Sequence, residues 1–544
     1  MIYLSRDNKW VISLKNGKGK VITLVILILI GLAVLSSILN ESGYSPSKRY
    51  SDKFFKILSN EDNKSFEKEL MDFANKNKIY LTITYADDLE AIDKLESNSN
   101  LYDAVWMSNS TWLYMLNNVS TSNSKSININ PVVFGIKKSK AKELGFVDNN
   151  VYNKDIVKAI QDGKLKYVMS SVTKTNTGLI AYLGFLNSLS GSPEILTSKM
   201  LKSKTLEKDL KALFSGVERV SGTDDFLKEM FLKTNDYEAV IATESSLIEI
   251  NKELVKNNKE PLYLIYPLDG VSINDSPFAY IDNGQEKEEQ FLKLQSFLLS
   301  NSSQKKLESL GKRTWYGGVN EKADNNSFKK EWGIDTTKYL MPLKYPSKDV
   351  INEAISLYLE VFRKPSAIVF CLDVSGSMYG DGILELKNAM KYILDYDTAS
   401  NDNIQFSEND KIYIYSFAND VVGPFYTENG KDTSDLIYQV QSFQPNGGTN
   451  LYGCAIEGIK KLNSLNLKDD YTKTIILMTD GEANIGSYAS LKNAYNGSNV
   501  PIYSIMFGSA RRKQLEDIAE LSNAKVFDGK TNLTEAFKEV RSYN

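Results

Sequence analysis

Residues 21–39, VITLVILILIGLAVLSSIL, contain no charged side chain. As a helix rising about 1.5 Å per residue, this run spans roughly 28 Å, close to the hydrocarbon thickness of a bilayer. It is longer than a signal-peptide core, and no A-x-A-like site follows it, so a retained transmembrane signal anchor is expected. No cysteine lies near its end, which excludes a lipoprotein anchor. Arg6, Lys9, Lys15, Lys18 and Lys20 precede the run against the single acid Asp7, and Lys48, Arg49 and Lys53 follow it. That bias puts residues 1–20 in the cytoplasm and everything after residue 40 outside. The expected localisation is the cell membrane, single-pass, with a C-terminal ectodomain.

A chain of 544 residues exceeds one hydrophobic core, so two or more domains are expected. Lys+Arg 65 against Asp+Glu 68 leaves a net charge of −3, which offers nucleic acid no footprint. Histidine is absent, which removes the commonest general base, every His-containing nucleophilic triad and any His-based zinc site. Cys371 and Cys454 are the two cysteines. They could pair in an oxidising compartment, or Cys371 could stay a buried thiol on its apolar strand.

From residue 53 to 316, short apolar runs alternate with amphipathic stretches, the layering of an α/β fold. FFKIL (54–58), YLTITY (80–85) and YDAVWM (102–107) each lead through polar residues toward a helical pattern. NPVVFGIKKSKAKELG (130–145), SSVTKTNTGLIAYLGFLNSL (170–189) and YEAVIATESSLI (237–248) resemble a bacterial extracellular solute-binding protein of the type 2 periplasmic class. The nearest type is the molybdate-like or general anion-binding receptor of ABC transporters. QSFLLSNSSQKKLESLGKRTW (295–315) is similar to the closing helices of that fold. The resemblance implies a two-lobed domain over 53–316, with lobe one 53–130 and 262–316 and lobe two 136–258. Residues 131–136 would cross first, and 263–267 or the following DGVSINDSPFAYI would return.

A small molecule or anion would lie between the lobes, near helix N-termini whose free N–H groups suit such ligands. The candidate ligand residues by position are Ser59, Asn60, Ser108, Asn109, Ser110, Thr175, Asn176, Thr177, Thr243 and Glu244. The plainer alternative is N-capping, which Ser, Thr and Asn perform routinely. Glu244 would oppose an oxyanion, so the ligand's charge stays open.

After a linker over 317–349 and a helix over 350–362 comes SAIVFCLDVSGSM (366–378), apolar on both faces until Asp373, as in a central parallel strand. Strands over 411–417, 472–481, 500–508 and 524–528 alternate with helices over 384–394, 451–462 and 514–521. That alternation predicts a doubly wound, Rossmann-like sheet with its site at the strands' C-terminal ends. Polar residues gather there: Asp373, Ser375 and Ser377 as D-x-S-x-S, Thr449 in GGTN, and Asp480 in MTDGEAN. Two carboxylates and three hydroxyls are hard donors, suited to Mg²⁺ and less strictly to Mn²⁺ or Ca²⁺. Mg²⁺ keeps waters where protein ligands are too few, and a partner's carboxylate can replace one.

This set, over residues 350–544, resembles the von Willebrand factor A (vWA) domain with its metal-ion-dependent adhesion site (MIDAS). The resemblance implies direct ligation by Ser375 and Ser377, with Asp373, Thr449 and Asp480 binding directly or through water. It also implies tight turns at Gly376, Gly447, Gly448 and Gly481, and a protein partner offering Asp or Glu. The expected function is a bacterial cell-surface binding or adhesion protein. The alternative is a solute receptor or sensor with the vWA domain as a protein-interaction relay. Catalysis is not expected: a metal-activated water could hydrolyse a substrate, but no general base is evident beside the site.

Overall fold

The computed structural model describes residues 2–4, 10–12, 53–320, 326–337, 340, 343–467 and 470–543. The expected membrane span over 21–39 lies outside them; among the described residues no helix is long and apolar enough to cross a membrane. Near the N-terminus β1 (Ile2–Leu4) and β2 (Trp10–Ile12) pair antiparallel.

The first lobe is built on β3 (Phe54–Ser59), β4 (Tyr80–Tyr85), β5 (Ala104–Trp106), β6 (Thr121–Ser126) and β13 (Pro277–Ile281), in the order β4-β3-β5-β13-β6. β7 (Asn128–Lys137) carries the chain into the second lobe and contains the expected crossover at 131–136. There it pairs antiparallel with β10 (Ala239–Thr243), β11 (Leu262–Ile265) and β12 (Ser272–Asn274). β8 (Tyr167–Ser170) and β9 (Val217–Ser221) extend that sheet, and β14 (Arg313–Thr314) pairs with the start of β7. The return therefore runs through β12 and β13, within DGVSINDSPFAYI. Residues 262–274 belong to the second lobe, where lobe one was expected, because β11 hydrogen-bonds to β7. A four-residue apolar run says that it is buried, not in which of two sheets.

The third sheet comprises β15 (Ser366–Asp373), β16 (Lys411–Phe417), β17 (Val421–Thr427), β18 (Thr472–Thr479), β19 (Ile502–Met506) and β20 (Val526–Asp528). Its order is β17-β16-β15-β18-β19-β20, parallel except for the edge strand β17. Every residue of β15 is buried. Ile368, Phe370 and Leu372 join one apolar cluster while Ala367, Val369 and Cys371 join another, so alternate side chains fill the two faces. Strand order reverses between β15 and β18, which opens a crevice at their C-terminal ends.

Cys371 of β15 is disulfide-bonded to Cys454, with Cα atoms 5.9 Å apart. Closing a loop of this sequence separation, 83, contributes on the order of 4–5 kcal/mol in the chain-entropy account.

The helix Lys348–Leu357 and the π turn Tyr358–Phe362 that ends it pack away from the sheet they precede in sequence. Ile351, Ile355, Tyr358, Leu359 and Phe362 lie in the second lobe's apolar cluster with Leu210 and Phe214. Tyr182 donates its hydroxyl to the Ala354 carbonyl (2.8 Å). By packing this helix is part of the second lobe, although the sequence groups it with the domain after it.

The third sheet rests on the second lobe at its strands' N-terminal ends. Arg219 of β9 donates to the Tyr503 hydroxyl and the Asn523 carbonyl, both at 2.8 Å. Lys364 donates to the carbonyls of Ser215 and Val217, and Tyr543 meets Phe226 edge-on. The opposite end, with Asp373 and Asp480, points away from this contact.

Candidate metal centre

β15 ends at Asp373, fully buried, and the next residues turn through a short helical loop, Gly376–Met378. The Asp373 carboxylate accepts from the Ser375 N–H (2.8 Å) and the Thr479 hydroxyl (2.5 Å). Ser375 and Ser377 bring their hydroxyl oxygens to 3.0 Å, and Ser377 donates to Asp480 Oδ1 at 2.6 Å. Asp480 follows the last residue of β18, the neighbour of β15 across the switch point.

Thr449 is buried, and its backbone N–H donates to Asn484 Oδ1 (2.8 Å), while its hydroxyl makes no hydrogen bond among the described residues. A Cβ on Gly481 would lie 3.5 Å from Ser377 Oγ and 3.7 Å from Thr449 Oγ1, so all three segments meet. Ser375 is buried and Ser377 exposed, so the cluster opens to solvent on one side. The five expected ligands thus converge.

The second loop is shaped by two glycines. Gly447 takes φ +69°, which favours glycine, and Gly448 sits where a Cβ would be 2.7 Å from Asn484 Oδ1. Asn419 accepts from the Gly448 N–H (2.7 Å). Asn419, Asn484 and Thr479 hold the cluster from behind. Thr479 and Asn484 flank Asp480 in MTDGEAN, a signal that was available; Asn419, in the turn between β16 and β17, has none.

Burial raises the Asp373 carboxyl above its ordinary range, hydrogen bonds from Ser375 and Thr479 oppose it, and the neighbouring Asp480 charge raises it further. Asp480 is raised by burial against its bond from Ser377. The Asp480 charge beside the buried Asp373 carboxylate makes a nearby cation favourable. The donor set fits a hard divalent ion: carboxylate and hydroxyl oxygens, one hydroxyl without a partner, and an open side.

Residues 367–541 match the von Willebrand factor type A domain. A similar protein is inter-alpha-trypsin inhibitor heavy chain H3 of Bos taurus, 30% identical over 161 residues, 27% of this chain. The aligned stretch is 17% of that relative's length, about a sixth. Among solved structures, a von Willebrand factor type A protein from Catenulispora acidiphila is 17% identical with a TM-score of 0.29, covering 34% of this chain and 43% of that one.

The front half presents its candidates differently. Asn60, Asn109, Thr175 and Thr243 are N-caps whose side chains accept from backbone N–H groups of the helices they begin. Ser59 donates to the Asn60 carbonyl (3.2 Å), Ser108 donates to Asp88, and Ser110 donates to Asp275. Thr177 donates to Asp224 (2.5 Å). Asn176 accepts from Trp112 Nε1 (2.7 Å) and donates to Asn274 (2.9 Å), tying the lobes together.

Glu244 is not free for a ligand. It forms a fully buried two-point ion pair with Arg313 (2.8 and 2.7 Å) and accepts from the Tyr266 hydroxyl. Asn109 and Ser110 border a cavity of about 1060 Å³ beside Trp315 and Tyr345, which the other eight candidates do not line. A ferric binding protein from Campylobacter jejuni is similar in structure to this half, at 17% identity and a TM-score of 0.43, covering 56% of this chain and 98% of that one. With a TM-score below one half, the likeness says nothing of ligand.

Proposed function

We propose that the chain is a membrane-anchored extracytoplasmic binding or adhesion protein whose A-type domain holds Mg²⁺, or Mn²⁺ or Ca²⁺, and through it engages a carboxylate on a protein partner. The observation that carries this reading is the convergence of Asp373, Ser375, Ser377, Thr449 and Asp480 at the solvent-facing end of the sheet, opposite its contact with the second lobe. When bound, the ion supplies a partly shielded positive charge for an acidic side chain. Ser375, Ser377 and Thr449 offer neutral oxygens, so only Asp373 and Asp480 offset its charge. Tyr379, 84% exposed and two residues past Ser377, gives a partner an aromatic contact beside the carboxylate. We propose a non-catalytic role, since the chain has no histidine and no base is evident beside the ion.

The front half supports a binding or scaffold role in the same ectodomain. The alternative, a solute receptor, is not favoured, because the candidate ligand residues are engaged with protein partners.

The test is thermal melting of the purified chain with and without Mg²⁺. The parent is expected to gain stability from Mg²⁺, and Asp373→Ala to lose that gain entirely. An Asp373→Ala protein that melts higher with Mg²⁺ by the parent's margin would sink the assignment.

A further inference from the structure

We propose that the Cys371–Cys454 disulfide is a positioning device for the metal centre: it fixes the separation of the D-x-S-x-S and Thr449 loops and thereby sets divalent-ion affinity. This rests on the metal reading above.

Cys371 lies two residues before Asp373 on β15, so the two side chains share a sheet face, about 6–7 Å apart along the strand. Cys454 lies in the first turn of the helix Leu451–Ser464, whose N-cap, Asn450, directly follows Thr449. Asn450 accepts from the Gly453 N–H (3.2 Å), which closes that turn. One covalent link therefore joins the strand that carries the first loop to the helix that carries the second, within about a turn of both sets of ligands.

Beyond the link the loops meet through backbone hydrogen bonds: Gly376 N–H to the Gly447 carbonyl (3.0 Å) and Asn446 N–H to the Val374 carbonyl (2.9 Å). Both cysteines are fully buried, with Val369, Leu451, Ala455 and Leu477 in one apolar cluster. The interior around them is packed, so the bridge fixes register rather than filling a gap. An ion held by hydroxyls from two loops is sensitive to their spacing, because a misplaced neutral donor has little charge with which to draw the ion toward it.

The experiment uses the full chain carrying Cys371→Val and Cys454→Ala, which keeps an apolar contact without the covalent bond. Mn²⁺ affinity is read by calorimetry, and amide hydrogen exchange at Gly376 and Asn446 is read in chelator. The expected result is about tenfold weaker Mn²⁺ binding and faster exchange at both amides, with the centres of β16 and β18 unchanged. Parental Mn²⁺ affinity, or parental exchange at both Gly376 and Asn446, would overturn the proposal and leave the bridge a global staple. If the first variant does not fold, Cys371→Ala with Cys454→Val moves the added methyls to the helix side and is read identically. A parent chain that takes up no Mn²⁺ overturns both this proposal and the metal reading, whereas equal affinities overturn this proposal alone.

Discussion

The crevice of the A-type domain and the junction of the two front lobes are built alike, with hydroxyl and amide residues at the C-terminal ends of parallel strands where helices begin. They differ in what those residues do next. In the A-type domain Ser375, Ser377 and Asp480 are one another's partners, and Thr449 leaves its hydroxyl open. Between the lobes Asn60, Thr175 and Thr243 cap helices, Asn176 links Trp112 to Asn274, and Glu244 is held by Arg313. Donors that largely satisfy each other suit the ion proposed above; donors spent on backbone and buried side chains hold structure.

The sharpest break of this contrast is Glu244→Ala. If Glu244 is structural, removing it strands a fully buried guanidinium, at a cost of about 3–5 kcal/mol. Denaturant unfolding of the front half should shift accordingly. An unchanged midpoint would return Glu244 to the ligand candidates.

A smaller effect is expected at Asn484, which accepts the Thr449 N–H. Asn484→Ala should weaken Mn²⁺ binding about tenfold, or about 1.4 kcal/mol, with little change in the chelated melt. Equal loss of chelated stability would make Asn484 a fold residue and blur the distinction.

The smallest effect lies between the lobes. Burial, then Asp224, raises the Asp87 carboxyl to about 7, with Lys174 opposing and Asp62 and Glu90 adding to the rise. A carboxyl whose folded pKa lies above its unfolded value of about 4 takes up a proton on folding, so its contribution falls as pH rises from about 4 to 7. Asp87→Asn keeps the N-cap geometry and should raise the melting temperature slightly at pH 7.5 and hardly at pH 4.5. An equal change at both values would mean that Asp87 carries its charge freely in the fold.

The meeting of Asp373, Ser375, Ser377, Thr449 and Asp480 was legible because they lie at the ends of buried parallel strands or in the loops that follow, in a spacing that ordinary turns seldom combine with a second Asp at another strand end. The ten front-half candidates were read by the same positional rule, but Ser, Thr and Asn at a strand end suit a cap as well as a ligand, and only partners decide. Glu244 was opaque because Arg313 lies 69 residues away. β17 is absent from the strands expected from sequence, since Gly423 and Pro424 in VVGPFYT break a strand pattern that only an edge position tolerates. The helix Lys348–Leu357 was seen, but an amphipathic pattern does not name the core that its apolar face will meet.

That last helix makes the two halves hard to separate. Cutting ahead of it would give an A-type fragment with the apolar face of Ile351, Ile355, Tyr358 and Leu359 bare to water, a surface that invites aggregation. Cutting behind it would leave the second lobe with its own helix and the A-type domain without its footing, exposing Tyr503 and Tyr543 where Arg219 and Phe226 now cover them. The boundary in sequence and the seam in space do not coincide, so the two halves are expressed and unfolded most naturally as one piece.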